Sequence, residues 1–189
     1  LHAGLADYTG GAMKEALRHI VGVQFRNLAT VGGSVFGRFG FSDVLTILLA
    51  LDASVELYKA GTIPLSDFVN MKYDRDILTY VVIPKQKLQC CYQSVRISKT
   101  DFPVLTCAAA LTDAGVQLAV GARPAKAALL KDTQGLAALP ITEEKAQVLA
   151  DYAAMQLPTA SNPRGSAAYR RHLIKVLVKR VVLTLGGNS

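Results

Sequence analysis

Thr30-Val31-Gly32-Gly33-Ser34 is the segment whose residue types are best suited to hold a ligand. Adjacent glycines reach backbone conformations closed to other residues, and they remove the side chains that would keep a ligand at a distance. Successive amides in a turn of this kind converge on an anion. The hydroxyls of Thr30 and Ser34 flank the pair, and Arg26 adds positive charge nearby. The segment lacks the Gly-Lys-Ser/Thr of a Walker A loop and the spaced glycines of the dinucleotide fingerprint. The residues alone therefore leave open a phosphate contact and a plain turn. Ser42-Asp43 precedes the apolar run Val44–Leu51. There Asp43 either accepts hydrogen bonds from a ribose or caps the helix that follows.

Other reactive side chains are spaced less suggestively. His2, His19 and His172 are too far apart in sequence to show metal-ligand spacing. Cys90 and Cys91 are neighbours, so in a strand they point to opposite faces. With Cys107 they fit neither a disulfide framework, a zinc site nor an iron–sulfur cluster, and all three are expected to pack in a sheet. Arg171, Lys175 and Lys179 form one stripe of a helix whose other faces carry Leu173, Leu177, Val178 and Val181. That stripe is either a solvated face or a dock for an acidic partner.

The elements that must position these residues can be read along the chain. Its 189 residues are 51% hydrophobic, enough for a sizeable core, and no apolar run approaches the length of a membrane span. The net charge of +7 is scattered, Trp is absent, and no basic tract is interleaved with aromatics, which argues against nucleic acid as a partner. No secretory signal is visible, and unpaired cysteines suit a reducing cytoplasmic compartment. The chain opens on Leu1 rather than Met, so its natural start is expected upstream. Leu1–Gly11 reads as irregular, Met13–Ile20 as a short helix, and Val44–Leu51 as a helix ended by Asp52. Ser54–Tyr58 and Ile77–Ile83 read as strands, with a strand end and a capped helical turn over Thr62–Phe68. The polar stretch Pro84–Lys87 marks a boundary. Beyond it come strands over Gln89–Ile97, Val104–Thr112 and Val116–Val120, the last two joined by the turn Asp113-Ala114-Gly115. Gly121–Pro124 is expected to stop the sheet, and helices follow at about 142–156 and 166–185, the first capped by Thr142. Strands grouped before helices predict an α+β chain in two parts, 1–84 and 88–185.

The run Gln24-Phe25-Arg26-Asn27-Leu28-Ala29-Thr30-Val31-Gly32-Gly33-Ser34, then Ser42-Asp43-Val44-Leu45 and Leu48–Ala53, closely resembles the flavoprotein (medium) subunit of the molybdenum hydroxylases. That family includes xanthine dehydrogenase and carbon monoxide dehydrogenase. The resemblance continues in order through Ile63–Phe68, Ile77–Pro84, Tyr92–Asp101 and Arg164–Arg171. It implies a FAD-binding lobe, here its second half over 1–84, followed over 88–185 by a three-stranded antiparallel sheet with helices. It implies FAD as cofactor, with Arg26, Asn27, Ala29, Thr30, Val31, Gly32, Gly33, Ser34 and Asp43 at the dinucleotide, and no catalytic acid or base. Its partners would be a molybdopterin-binding large subunit and a 2Fe-2S small subunit, with electrons leaving through FAD to an acceptor such as NAD. The family carries an N-terminal lobe ahead of this stretch. The chain as it stands is therefore expected to hold FAD weakly or not at all, and to self-associate through apolar surface around Val21–Phe25 and Phe36–Phe41. A different class of function is a non-catalytic assembly module that docks its partners without a working flavin site.

Overall fold

The computed structural model describes residues 3–113, 115–138 and 140–187. Its N-terminal part begins with three short helices, α1 (Ala3–Tyr8), α2 (Ala12–Arg18) and α3 (Val23–Leu28). The expected irregular opening is thus largely helical. Leu5 packs against the core, and Gly10 and Gly11, both at positive φ, turn the chain between α1 and α2. Leu1 and His2 lie outside the described residues. α4 (Val31–Phe36) and α5 (Asp43–Ala50) follow. Every residue of α5 is buried, which accounts for its unbroken apolar run.

β1 (Ser54–Leu57), β2 (Gly61–Pro64) and β3 (Leu78–Val82) form a small antiparallel sheet in the order β2-β1-β3, with the turn of helix α6 (Leu65–Phe68) after β2. β4 (Gln89–Val95), β5 (Leu105–Thr112), β6 (Gly115–Gly121) and the two-residue β7 (Ala128–Leu129) form a second antiparallel sheet in chain order. The hairpin between β5 and β6 pairs Thr112 with Gly115, as the turn residues predict; Ala114 lies outside the described residues. Gly121–Pro124 ends β6, but the chain returns for a fourth, short strand that carries no strong sequence signal of its own. α7 (Glu143–Gln156) and α8 (Ala167–Leu185) complete the fold, and the Thr142 hydroxyl accepts from the Lys145 amide at 3.2 Å.

The second sheet is buried on both faces. Along β5, Ala108 and Ala110 join a core formed with α2 and α5, whereas Leu105, Cys107 and Ala109 join a second core formed with α7 and α8. This is the two-residue alternation of a strand. Cys90 and Cys91 divide in the same way, one toward each core. Thr46 of α5 and Thr106 of β5 share a hydrogen bond of 2.9 Å across the first core. Gly121 lies against both hydroxyls, and a Cβ there would collide with them, so α5 sits this close to the sheet only because that residue is glycine. Among the described residues no helix is long and apolar enough to cross a membrane.

Candidate functional site

The segment singled out by its glycines is the start of a helix rather than a turn. Neither Gly32 nor Gly33 has positive φ. The Thr30 side chain caps α4 by accepting from the Gly33 amide at 3.0 Å, and the chain is right-handed from Val31 onward. Gly33 remains exposed at the mouth of a cavity of about 460 Å³, and a Cβ added to it would lie 3.0 Å from the Thr30 hydroxyl. Ala29, Thr30, Ser34 and Asp43 line the same cavity. A concave site of this volume lies within the range of small-molecule sites.

The other residues named by the sequence are not gathered there. Arg26 and Asn27 line a separate cleft against α1 and α2, of about 1100 Å³, where the Arg26 guanidinium donates to the carbonyls of Ile20 and Val21 at 2.9 and 3.0 Å. Val31 packs inward on the first core, and Gly32 backs onto Leu78 of β3.

Asp43 neither caps α5 nor offers a free carboxylate. Ser42 is the cap, its hydroxyl accepting from the Leu45 amide at 3.1 Å. Asp43 is the first helical residue, almost wholly buried, and its Oδ1 accepts from both the Tyr92 hydroxyl and the Arg96 guanidinium. Burial raises the Asp43 carboxyl above its ordinary value, against the Tyr92 hydrogen bond and the Arg96 charge, which lower it. Burial, and then the neighbouring carboxylate, push the Tyr92 phenol well above its usual range, so it remains a donor. Arg96 also donates to the Asp101 carbonyl at 2.5 Å. The segment after β4 is thereby drawn over the cavity, and Arg96, Thr100, Asp101 and Phe102 join its lining.

The opposite wall is aromatic. Phe39 and Phe41 stack with centroids 5.3 Å apart and planes 6° from parallel, and Phe41 meets Phe102 at 4.2 Å. Phe25 of α3 completes the lining rings, and these four side chains remain partly open to solvent. The expectation of exposed apolar surface holds for Val21, Val23, Phe25, Phe39 and Phe41. It fails for Phe36, which packs on Phe68 at 6.0 Å. Individual phenylalanines in a sequence carry no sign of facing one another, so this wall had no local signal. The Arg96–Asp101 segment did offer one, a cation and an acid around a polar turn, without fixing which of them reaches the site.

The basic stripe of α8 divides as well. Lys175 and Lys179 pair with Asp151 and Glu143 of α7 at 2.7 and 2.9 Å, so they tie two helices together rather than stand free. Their neighbour Arg170 is fully buried and donates to the carbonyls of Val104 and Ala160 at 2.9 and 2.8 Å, to the Gly165 carbonyl, and to Asn162 Oδ1 at 2.6 Å. The signal was present: Arg170 stands at helical spacing from Leu173, Ile174 and Leu177, on the buried face.

Comparison with known proteins agrees with this architecture in both parts. The family model described as the FAD binding domain in molybdopterin dehydrogenase matches residues 3–86, and that of the CO dehydrogenase flavoprotein C-terminal domain matches residues 90–185. The chain is 30% identical over 174 residues to YgfM of Escherichia coli K12, which bears the description of an uncharacterized protein; the match covers 92% of the chain and 64% of YgfM. It is 26% identical over 191 residues to the nicotine 6-hydroxylase medium subunit of Paenarthrobacter nicotinovorans, covering 94% of the chain and 68% of that subunit. The carbon monoxide dehydrogenase of Hydrogenophaga pseudoflava that lacks its Mo-pyranopterin moiety shares the fold with a TM-score of 0.88 at 20% identity, over 98% of the chain and 70% of the matched one. The chain thus spans slightly less than two thirds of YgfM, and its own sheets and helices are those of the flavoprotein fold. It belongs to the FAD-binding medium subunits of the molybdenum hydroxylase and carbon monoxide dehydrogenase family.

Proposed function

We propose that this chain serves as the flavoprotein subunit of a molybdenum hydroxylase-type oxidoreductase. In this reading it works with a molybdopterin-binding large subunit and a 2Fe-2S small subunit in the cytoplasm, and electrons pass from the iron–sulfur clusters through FAD to an acceptor such as NAD. One observation carries the reading: Ala29, Thr30, Gly33, Ser34 and Asp43, which the family resemblance assigns to FAD, line one cavity with an aromatic wall. The residues fit the group. Ring faces of Phe25, Phe39, Phe41 and Phe102 suit a planar isoalloxazine, and the Thr30, Ser34 and Thr100 hydroxyls suit its polar edges and chain.

When bound, FAD supplies the redox chemistry. The chain's residues bind and orient it. Gly33 leaves room for close approach, and the phenylalanines exclude water from one side of the ring. Asp43 acts through Arg96, holding the segment that closes over the cavity, rather than by exchanging protons. Arg26 and Asn27 face a different cleft, and in this reading they shape the α3 segment ahead of the site without touching the flavin.

The flavin released on denaturing the protein, purified together with its partner subunits, is the test. Release of FAD is expected. A complex that releases no flavin and takes up no added FAD would leave the assembly-module reading in its place.

A further inference from the structure

Phe102 reaches the first cavity from a loop whose two ends are pinned. The Val104 amide donates to the Val95 carbonyl at 2.7 Å and closes residues 96–103 into that loop. Arg96 enters it tied to Asp43, and the Val104 carbonyl that leaves it accepts from the buried Arg170 at 2.9 Å. Between these anchors Ile97, Ser98, Lys99 and Thr100 are exposed, and the Phe102 side chain is 41% exposed. A ring this open gains little from burial, so its orientation depends on the contacts made with its faces.

Two residues supply those contacts. Phe41 meets the ring at 4.2 Å within the aromatic wall, and the Arg164 guanidinium stands 5.0 Å from its centre. Arg164 does not line the first cavity; it lines a second one, of about 400 Å³, that shares Phe39, Phe41 and Phe102 with the first. It therefore backs the wall without facing the flavin site. The same side chain also reaches the residue before Phe102. Its Nε donates to Asp101 Oδ1 at 3.4 Å, and that oxygen accepts from the Phe102 amide at 2.7 Å. A cation set over the ring and paired with the adjoining carboxylate restrains the side chain and the backbone of Phe102 together.

Arg164 is itself presented by a fixed turn. Asn162 and Gly165 exchange two backbone hydrogen bonds of 3.1 Å around Pro163 and Arg164. Asn162 Oδ1 accepts from the Arg164 amide at 2.9 Å and from Arg170 at 2.6 Å, and Arg170 also donates to the Gly165 carbonyl. One buried guanidinium thus holds both the turn that carries Arg164 and the chain that follows Phe102, which fixes the two relative to each other. We propose that Arg164 is a positioning residue for the flavin, holding Phe102 in the cavity wall from behind. The inference rests on the flavin reading above, and adds to it a residue that touches no cofactor atom.

The test has two arms, and the first needs no flavin. Lys99 is exposed in the loop, so trypsin should cut there severalfold faster in Arg164→Gln than in the wild type, with the melting temperature little changed. The second arm is equilibrium dialysis of the protein, purified with its partner subunits, against FAD, with bound FAD counted after denaturation. Arg164→Gln should bind FAD about fivefold more weakly, the effect of one exposed cation–π contact. Arg164→Lys, which keeps a cation behind the ring, should recover most of that loss. Phe102→Leu should weaken FAD at least as much, and adding Arg164→Gln to it should cost nothing further, because Arg164 acts through that ring. Arg164→Met, which keeps the stem and drops the charge, carries the same expectations if Arg164→Gln does not fold. The proposal is overturned if the losses of Arg164→Gln and Phe102→Leu multiply in the double variant. It is also overturned if Arg164→Gln matches the wild type in cleavage at Lys99. A complex that binds no FAD would sink the flavin reading, and the hold of Arg164 on Phe102 would then be judged by cleavage at Lys99 alone.

Discussion

Asp43 and Arg96, 53 residues apart in sequence, form a buried ion pair that joins the first residue of α5 to the segment leaving β4. The same Asp43 oxygen also accepts from the Tyr92 hydroxyl, so one carboxylate fixes two side chains of the second half of the chain. Removing one partner of such a pair leaves the other charge buried and uncompensated, at a cost of about 3–5 kcal/mol. Asp43→Ala is therefore expected to lower stability by that amount, measured by denaturant unfolding. Replacing both residues with apolar side chains of similar volume should restore most of the loss. A cost below about 1 kcal/mol for Asp43→Ala would show the pair to be ornamental at this site.

Several parts of this architecture are written locally. Thr142 announces α7, Ser42 caps the run that becomes α5, and the residues at 112–115 turn β5 into β6. The adjacency of Cys90 and Cys91 already implies two covered faces, and the sheet has them. What was illegible depends on partners distant in sequence. Gly32-Gly33 reads as a turn because its residues permit one, yet the Thr30 hydroxyl and the approach of α4 to α5 and β3 decide for a helix. β7 exists because β6 offers it an edge, and Asp43 changes from a cap to an ion-pair partner because Arg96 arrives from the next domain-sized segment. The aromatic wall is the extreme case, since Phe39 and Phe102 face one cavity from positions far apart in the sequence.

Gly33 tests the flavin reading at one atom's distance. A valine here would press its Cβ against the capping Thr30 hydroxyl and project methyls into the cavity. Since Gly33 is exposed, the fold should survive: helix propensity gains up to about 1 kcal/mol, and the disturbed cap loses a similar amount. FAD binding should fall by at least about tenfold, or roughly 1.4 kcal/mol. Flavin occupancy equal to that of the wild type, read from the absorbance ratio of flavin to protein, would remove Gly33 from the site.

The cysteines should be chemically silent. Burial, with Cys91 beside it, raises the Cys90 thiol to about 12, and burial raises Cys107 further and Cys91 as well. The thiolate is the reactive form, so at pH 8 the folded protein should consume almost no disulfide reagent, whereas the denatured chain should titrate three thiols. Rapid modification of any one before unfolding would contradict the packing of the sheet.

Asp132 offers a dependence on pH with a definite sign. Burial raises its carboxyl, but the amides of Ala137, Leu136, Gln134 and Gly135 outweigh that and hold it below the ordinary value of 3.8. A depressed carboxyl contributes stability that is present above its unfolded value and is lost as pH falls through its folded one. Asp132→Asn should thus cost something under about 1 kcal/mol at pH 7, because the group is still partly open to solvent. The gap from wild type should close below about pH 3.8. A gap that widens on acidification would reverse the assignment.

Trypsin should find the junction between the two parts that we propose at Pro84–Lys87. Lys85 and Lys87 are exposed and lie outside any strand, and exposed polar connections are cleaved first. The stretch is not entirely free, because the Tyr8 hydroxyl donates to the carbonyls of Pro84 and Gln86 at 2.9 and 3.0 Å and accepts from the Gln86 amide at 3.0 Å. Tyr8→Phe removes the hydroxyl from those contacts and should speed the cut severalfold. The nicked halves should stay together in size-exclusion chromatography. One face of the second sheet, with Tyr92, Ala108, Ala110 and Ala119, is covered by α2 and α5 of the first half, and the Asp43–Arg96 pair crosses the same boundary. Separating them would expose a core face of apolar residues worth about 25 cal/mol per Å², far more than one peptide bond had been needed to hold. Halves that part on nicking and each remain soluble monomers would mean that the two cores are independent, and that the sheet does not need α5 to cover it.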